Sequence, residues 1–199
     1  LAWRVLRIAG HLLMVGLASS LWSLPAGAQD LQPVPPLSAR VTDISATLQP
    51  EQRDALERKL AAFEAQSGPQ IVILLVASTL PEDITTYAYR VADQWKVGRR
   101  EVGDGVLLLV AVQDRKVRIE VAKALEGAIP DLAARQIIDR AIKPAFKAGD
   151  YAGGLNLAVD QLVARIQGEG LPAPAPLDSA RGDVADGLGA GGEGHDEVL

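Results

Sequence analysis

Two short apolar runs limit the fold of this chain more than any other feature. Ile71-Val72-Ile73-Leu74-Leu75-Val76 and Val106-Leu107-Leu108-Leu109-Val110-Ala111-Val112 are continuous, rich in β-branched residues and leucine, and too short for a helix. Side chains on a strand alternate between its two faces, so a run without polar alternation needs cover on both. Each run is therefore read as a strand buried on both sides. A third stretch differs: Val117, Ile119 and Val121 alternate with Arg118 and Glu120, as on a half-buried strand. Gln113 to Lys116 join it to the second run so tightly that the two must pair as an antiparallel hairpin.

Helical patterns fill the intervals. Pro50 sits where a first helical turn tolerates a missing N–H, and Leu56, Leu60 and Phe63 follow at helical spacing until Gly68-Pro69, which predicts a helix over 50–67. Ile84, Tyr87, Val91 and Trp95 predict another over 82–97, ending at Gly98, with Trp95 on its core face. The passage from Ile71 to Val112 has room for a right-handed parallel crossover. Asp131 is read as the N-cap of a helix carrying Ala134, Ile137, Ile138, Ala141 and Ile142, broken or kinked by Pro144. Leu155, Ala158, Val159, Leu162, Val163 and Ile166 form the cleanest stripe, and Tyr151 packs at that helix's start. The predicted order is α-β-α-β-β-α-α, an α/β layered domain whose mixed sheet is covered on both faces.

The ends have a different character. Arg4 and Arg7 precede an apolar stretch from Ile8 to Leu24 that closes on Ala26-Gly27-Ala28, the pattern of a signal peptide over residues 1–28 cleaved near Ala28. A retained membrane anchor is the alternative, against which His11, Ser19, Ser20, Ser23 and Pro25 interrupt the run. Cleavage would leave an exported protein, periplasmic or secreted, with no transmembrane helix. Residues 29–40, with Pro33, Pro35 and Pro36, read as an extended spacer before a domain at 41–167. Residues 168–199 are rich in Gly, Pro and Asp and read as a disordered acidic tail, with seven carboxylates against Arg181.

Composition removes several chemistries. With no cysteine in 199 residues, thiol nucleophiles, disulfides and thiolate metal sites are excluded. Both histidines, His11 and His195, fall outside the expected domain, so it has no Ser-His-Asp triad and no imidazole ligand. A net charge of −5 argues against a nucleic-acid partner. What remains is acid-rich turns: Asp43 before the first helix, Gly103-Asp104-Gly105 before the second run, then Leu125-Glu126-Gly127 and Asp131 after the third. Antiparallel pairing sets the start of one strand beside the end of the next, so Asp104 and the Glu126 to Asp131 loop should share one edge of the sheet. Carboxylates converging with backbone carbonyls suit a hard cation, Ca²⁺ or Mg²⁺. Each acid also has a structural reading: Asp104 as a turn residue, Asp131 as a helix cap, Glu126 as a solvated loop acid. Arg118 and Arg135 are candidates to hold an anion near these acids, or plain surface charges.

Several of these segments are similar to one family. Val41-Thr42-Asp43, Leu48-Gln49-Pro50-Glu51, Gly68-Pro69-Gln70-Ile71-Val72, Trp95-Lys96-Val97-Gly98, Asp104-Gly105-Val106-Leu107-Leu108-Leu109-Val110, Leu125-Glu126-Gly127 and Pro144-Ala145-Phe146-Lys147-Ala148-Gly149-Asp150-Tyr151 resemble, in order, the TPM domain. The resemblance implies a three-layer α/β/α sandwich and an exported or lumenal setting, in a family with a member tied to photosystem repair. It further implies calcium binding and a weak acid phosphatase activity, as attributed to some members. Matched onto this sequence, the metal role falls on Asp104, Glu126 and Asp131, with Asp43 as a further candidate. Ala122-Lys123-Ala124 stands where many members have Gly-Tyr-Gly, which restricts the backbone and adds a positive charge.

Two functions are expected from these readings. One is a non-catalytic periplasmic module assisting assembly or repair of envelope or membrane protein complexes. The other is a divalent-metal-dependent acid phosphatase, whose cation would polarise a phosphoryl oxygen and activate a water.

Overall fold

The computed structural model describes residues 30–168. The signal peptide and the acidic tail expected from the sequence lie outside the described residues. One four-stranded sheet organises the fold, in the order β1 (Val41–Asp43), β2 (Gln70–Val76), β3 (Gly105–Ala111), β4 (Lys116–Val121). β2 pairs in parallel with both β1 and β3, whereas β3 and β4 form the expected antiparallel hairpin. Helices α1 (Pro50–Ser67), α2 (Ile84–Trp95), α3 (Asp131–Ile137), α4 (Lys143–Lys147) and α5 (Tyr151–Ile166) complete the domain.

The two apolar runs are covered on both faces, as their lack of alternation requires. Ile71, Ile73, Leu75, Val106, Leu108 and Val110 face Leu56, Leu60 and Phe63 of α1 and Leu155, Val159 and Leu162 of α5. Their neighbours Val72, Leu74, Val76, Leu107, Leu109 and Ala111 face Tyr87, Val91 and Trp95 of α2. The sheet is thus the middle of three layers.

Four local features differ from the sequence reading. β1 is an additional strand, paired in register from Val41 with Ile73 to Asp43 with Leu75. Three residues are too few to show a periodicity, and β1 exists because β2 offers it an edge. Asp131 is not the N-cap of α3 but its first residue. Pro130 is the cap, held extended at φ −65° and ψ 162°, and its carbonyl takes the Ala133 and Ala134 N–H groups. Pro144 does not end its helix; the preceding turn, Ile138–Ile142, widens to π-helical spacing, and the chain stays helical through α4. Widening makes room for the pyrrolidine ring that a regular α-turn would press against a carbonyl.

The fourth difference concerns the proline-containing stretch before β1. It runs along α2 rather than hanging free: the Tyr87 hydroxyl donates to the Pro33 carbonyl (3.0 Å), and Trp95 Nε1 donates to the Pro35 carbonyl (2.7 Å). Arg90 donates to the Gln32 carbonyl (2.7 Å) and pairs with Glu82 (2.6 Å). Trp95 is a core residue, 7 % exposed, with its single polar atom satisfied. Among the described residues no helix is long and apolar enough to cross a membrane.

Candidate functional site

The acid-rich turns meet as backbone but not as side chains. Ala122 N–H donates to the Gly105 carbonyl (2.9 Å) and Ala124 N–H to the Gly103 carbonyl (3.2 Å), so the entry to β3 lies beside the exit from β4. Asp104, however, turns its carboxylate inward. It is fully buried, accepts the Arg99 N–H (2.8 Å) and the Arg99 Nε–H (2.8 Å), and forms an ion pair with the guanidinium, a terminal nitrogen of which lies 2.6 Å away. The loop can close this tightly because Gly98 (φ +97°) and Gly105 lie back to back. A Cβ on Gly105 would collide with the Val97 carbonyl, and one on Gly98 with the Gly105 nitrogen.

Asp43 is spent in a similar way. Its oxygens accept Ser45 N–H (2.9 Å), Ser45 Oγ–H (2.7 Å), Thr47 N–H (2.8 Å) and Leu48 N–H (2.7 Å), which folds the turn between β1 and α1. Glu126 and Asp131 are exposed. Among the described residues no three His, Cys, Asp or Glu side chains lie together in a group able to hold a metal ion. The segment Ala122-Lys123-Ala124 passes from extended Ala122 (φ −72°) into a 3₁₀ turn at Lys123–Leu125, a path that asks nothing of glycine.

A wide concavity lies elsewhere, beside β4. A cleft of about 920 Å³ runs between the outer strand and α3, the π-helical turn and α4, with Ile84 and Thr85 of α2 and Tyr151 of α5 at its margins. Six cations line it, Arg115, Lys116, Arg118, Arg135, Lys143 and Lys147, against only two carboxylates, Asp131 and Asp139. Arg118 is engaged by Glu120 (3.0 Å) and Lys143 by Asp139 (2.6 Å). Arg115, Lys116, Arg135 and Lys147 make no ion pair among the described residues. Val117, Ile119, Ala134, Ile138 and Phe146 give the floor an apolar character.

Backbone groups also face this cleft. The Ala122 to Gly105 bond sets the phase of the ladder, so in the antiparallel alternation Glu120, Arg118 and Lys116 exchange bonds with Leu107, Leu109 and Ala111. Val117 and Ile119 then direct their N–H and C=O groups to the outer edge, where no further strand pairs among the described residues. Both residues line the cleft.

The hairpin turn fixes one end of the site. Asp114 accepts the Ser78 hydroxyl (2.7 Å) and the Thr79 N–H (2.8 Å), tying the turn to the loop that leads into α2. Partial burial works to raise its pKa, but the Thr79 and Ser78 bonds and the nearby Lys116 outweigh it and hold the carboxyl below its ordinary value. Arg115 follows at φ +54°, a left-handed conformation that favours glycine, so a guanidinium occupies the rim at a cost in backbone strain.

The family model for the TPM domain matches residues 41–165. The chain belongs to the TPM-domain family. Its fold is similar to the N-terminal domain of a protein from P. gingivalis, at 28% identity and a TM-score of 0.59, with 65% of this chain and 82% of that one covered. It is also similar in fold to the BA42 protein from Bizionia argentinensis, at 23% identity and a TM-score of 0.57, with 68% and 90% covered. No functionally curated protein matches the chain.

The divalent cation implied by resemblance to other TPM proteins fits this TPM domain poorly. A hard cation needs several oxygens with lone pairs to spare, and Asp104 and Asp43 give theirs to Arg99 and to their own turn. Of the residues singled out by sequence, the cleft gathers Asp131, Arg118 and Arg135, but not Asp104, Glu126 or Asp43. Sequence reasoning missed Arg115, Lys116, Lys143 and Lys147. Their signal was faint: adjacent cations in a hairpin turn, and a Lys pair four residues apart on one helical face.

Proposed function

We propose that this TPM domain is a non-catalytic binding module of the exported compartment, which docks through the β4 cleft onto envelope or membrane protein complexes during their assembly or repair. The observation that carries this reading is the cleft itself, in which six cations, four of them outside any ion pair among the described residues, and the outer strand of the sheet surround an apolar floor. Such a surface recognises an acidic partner by complementary charge and by apolar contact, and it needs no reacting group. The commitment of Asp104 to Arg99 supports the same reading, because it gives the carboxylate a structural task.

Photo-crosslinking from Leu132, exposed beside Asp131, tests it. In envelope membranes a crosslinker there traps a protein partner, and Arg135→Glu removes the adduct. Equal adducts from Leu157, exposed on α5, or adducts that survive Arg135→Glu, would refute the assignment.

Asp131 standing among arginines favours a second reading, a divalent-metal-dependent acid phosphatase using the same cleft. Assay with p-nitrophenyl phosphate separates the two. The binding reading expects the same turnover with and without Ca²⁺ or Mg²⁺; metal-dependent turnover lost in a folded Asp131→Asn variant would replace it.

A further inference from the structure

We propose that the β4 cleft takes an amphipathic acidic α-helix of the partner, about 12 residues long, laid between the outer strand and the wall formed by α3 and α4. This rests on the reading of the cleft as the binding surface and adds the shape and chemistry of what binds there. The layout of charge is the first argument. On one wall Arg135, Asp139, Lys143 and Lys147 follow one another at four-residue steps, about one charge to each helical turn. Lys143 neutralises Asp139 at 2.6 Å, which leaves that wall cationic. On the other wall stand Arg115, Lys116 and Arg118. Between the walls Val112, Val117, Ile138, Phe146 and Tyr151 are half-buried, and their exposed parts form an apolar floor.

An amphipathic helix carries the matching pattern, an apolar stripe with polar residues down both flanks. Acidic flanks face the two cationic walls while the stripe rests on the floor. A strand has no such pattern. Its side chains point to two opposite faces, so an apolar face set on the floor turns the acids away from both walls. Backbone chemistry, the second argument, separates the two in the same direction. A helix satisfies its own N–H and C=O groups, whereas an extended chain pressed onto an apolar floor needs partners from the protein. The outer strand does not supply them: Ile119, inside β4, is only 3% exposed, which leaves no place for a second backbone beside it.

Size is the third. The 6 residues of β4 extend about 20 Å, and the helical wall from Arg135 to Lys147 rises about 18 Å. A helix of about 12 residues is about 18 Å long and about 10 Å across. Sunk to half its depth it displaces about 700 Å³, which the cleft of about 920 Å³ accommodates. Phe146 and Tyr151, with ring centroids 4.6 Å apart, give an aliphatic side chain of the stripe an aromatic anchor.

Titration of the full chain with fluorescent synthetic peptides of about 14 residues, at low ionic strength, tests this. One peptide sets leucine at i, i+3, i+4 and i+7 with glutamate on both flanks, a second alternates the same leucines and glutamates, and a third keeps the first pattern with alanine for leucine. Fluorescence anisotropy finds the first bound with a Kd of about 10–100 μM and the other two about tenfold more weakly or worse. Difference circular dichroism shows the first peptide gaining helix as it binds. Arg135→Glu with Lys147→Glu, both at exposed positions, weakens it about tenfold without unfolding the chain. Equal affinity for the alternating or the alanine peptide overturns the proposal, as does binding without a gain in helix. Undiminished binding to the doubly substituted chain overturns it too, because the peptide then sits outside the cleft. If the first peptide does not bind while crosslinking from Leu132 still depends on Arg135, the helix assignment fails alone; if both are absent, the binding reading falls with it.

Discussion

At the scale of single residues, Asp104 decides how the acidic edge is used. A buried carboxylate bonded to the main chain and side chain of one arginine is costly to orphan, because the remaining charge has no water to turn to. Arg99→Ala, which leaves the Asp104 carboxylate buried and unpaired, should therefore lower stability by about 3–5 kcal/mol, measured by reversible denaturation, and Asp104→Ala by less, because the Arg99 side chain keeps 26% of its surface in water. A loss below about 1 kcal/mol in Arg99→Ala would return Asp104 to the pool of available ligands. The sequence showed Asp104 between two glycines and so allowed both a turn and a ligand. It held no sign that Arg99, five residues upstream, folds back onto it, since that contact depends on Gly98 and Gly105 pressing together. Asp114 makes the complementary case for pH. Its folded pKa is lowered, so its contribution is present above the unfolded carboxyl value near pH 4 and is lost as pH falls through the folded value. Asp114→Asn should destabilise the protein at pH 7, and the gap to wild type should shrink below about pH 4. A gap constant between pH 7 and pH 3 would show that the Ser78 and Thr79 bonds do not favour the ionised form.

At the scale of elements, the parts with a long apolar period were legible and those that exist through neighbours were not. The helix over 50–67 matches α1 residue for residue, and the two apolar runs became β2 and β3 within one residue at each end, because burial on a known period leaves little freedom. β1 depends on β2's edge, and the π-helical turn on what Pro144 cannot do, so neither has a periodic signature of its own. The stretch before β1 shows the same dependence, since its carbonyls are held by Tyr87, Arg90 and Trp95. Trp95→Phe keeps the ring in the core but removes one donor, leaving the Pro35 carbonyl without that partner. The expected cost is about 1 kcal/mol, read as a fall in Tm of a few degrees, with faster proteolysis between residues 32 and 38. Unchanged proteolysis would mean that the Tyr87 and Arg90 bonds suffice to hold the segment.

At the scale of the whole molecule, charge is partitioned between a basic cleft and an acidic C-terminal sequence, which the net charge of −5 conceals. The sequence reading placed the functional edge at the acidic turns because a run of acids is visible in one dimension. The cations of the cleft come from the hairpin turn, β4, α3 and α4, and only the packing of α3 and α4 beside β4 assembles them. This contrast gives calcium a diagnostic use. A ligand that binds only the folded state stabilises it by about 2.7 kcal/mol at a hundredfold excess over its Kd, which at one millimolar corresponds to a site of about 10 μM. For a domain of this size that raises Tm by roughly 5–10 °C, far outside measurement error. With Asp104 and Asp43 committed to internal bonds, one millimolar Ca²⁺ should shift Tm by less than about 1 °C. A rise of several degrees that disappears in Glu126→Gln or Asp131→Asn would mean that the exposed acids close around an arriving ion, and the cleft would then have to share the functional role with the edge.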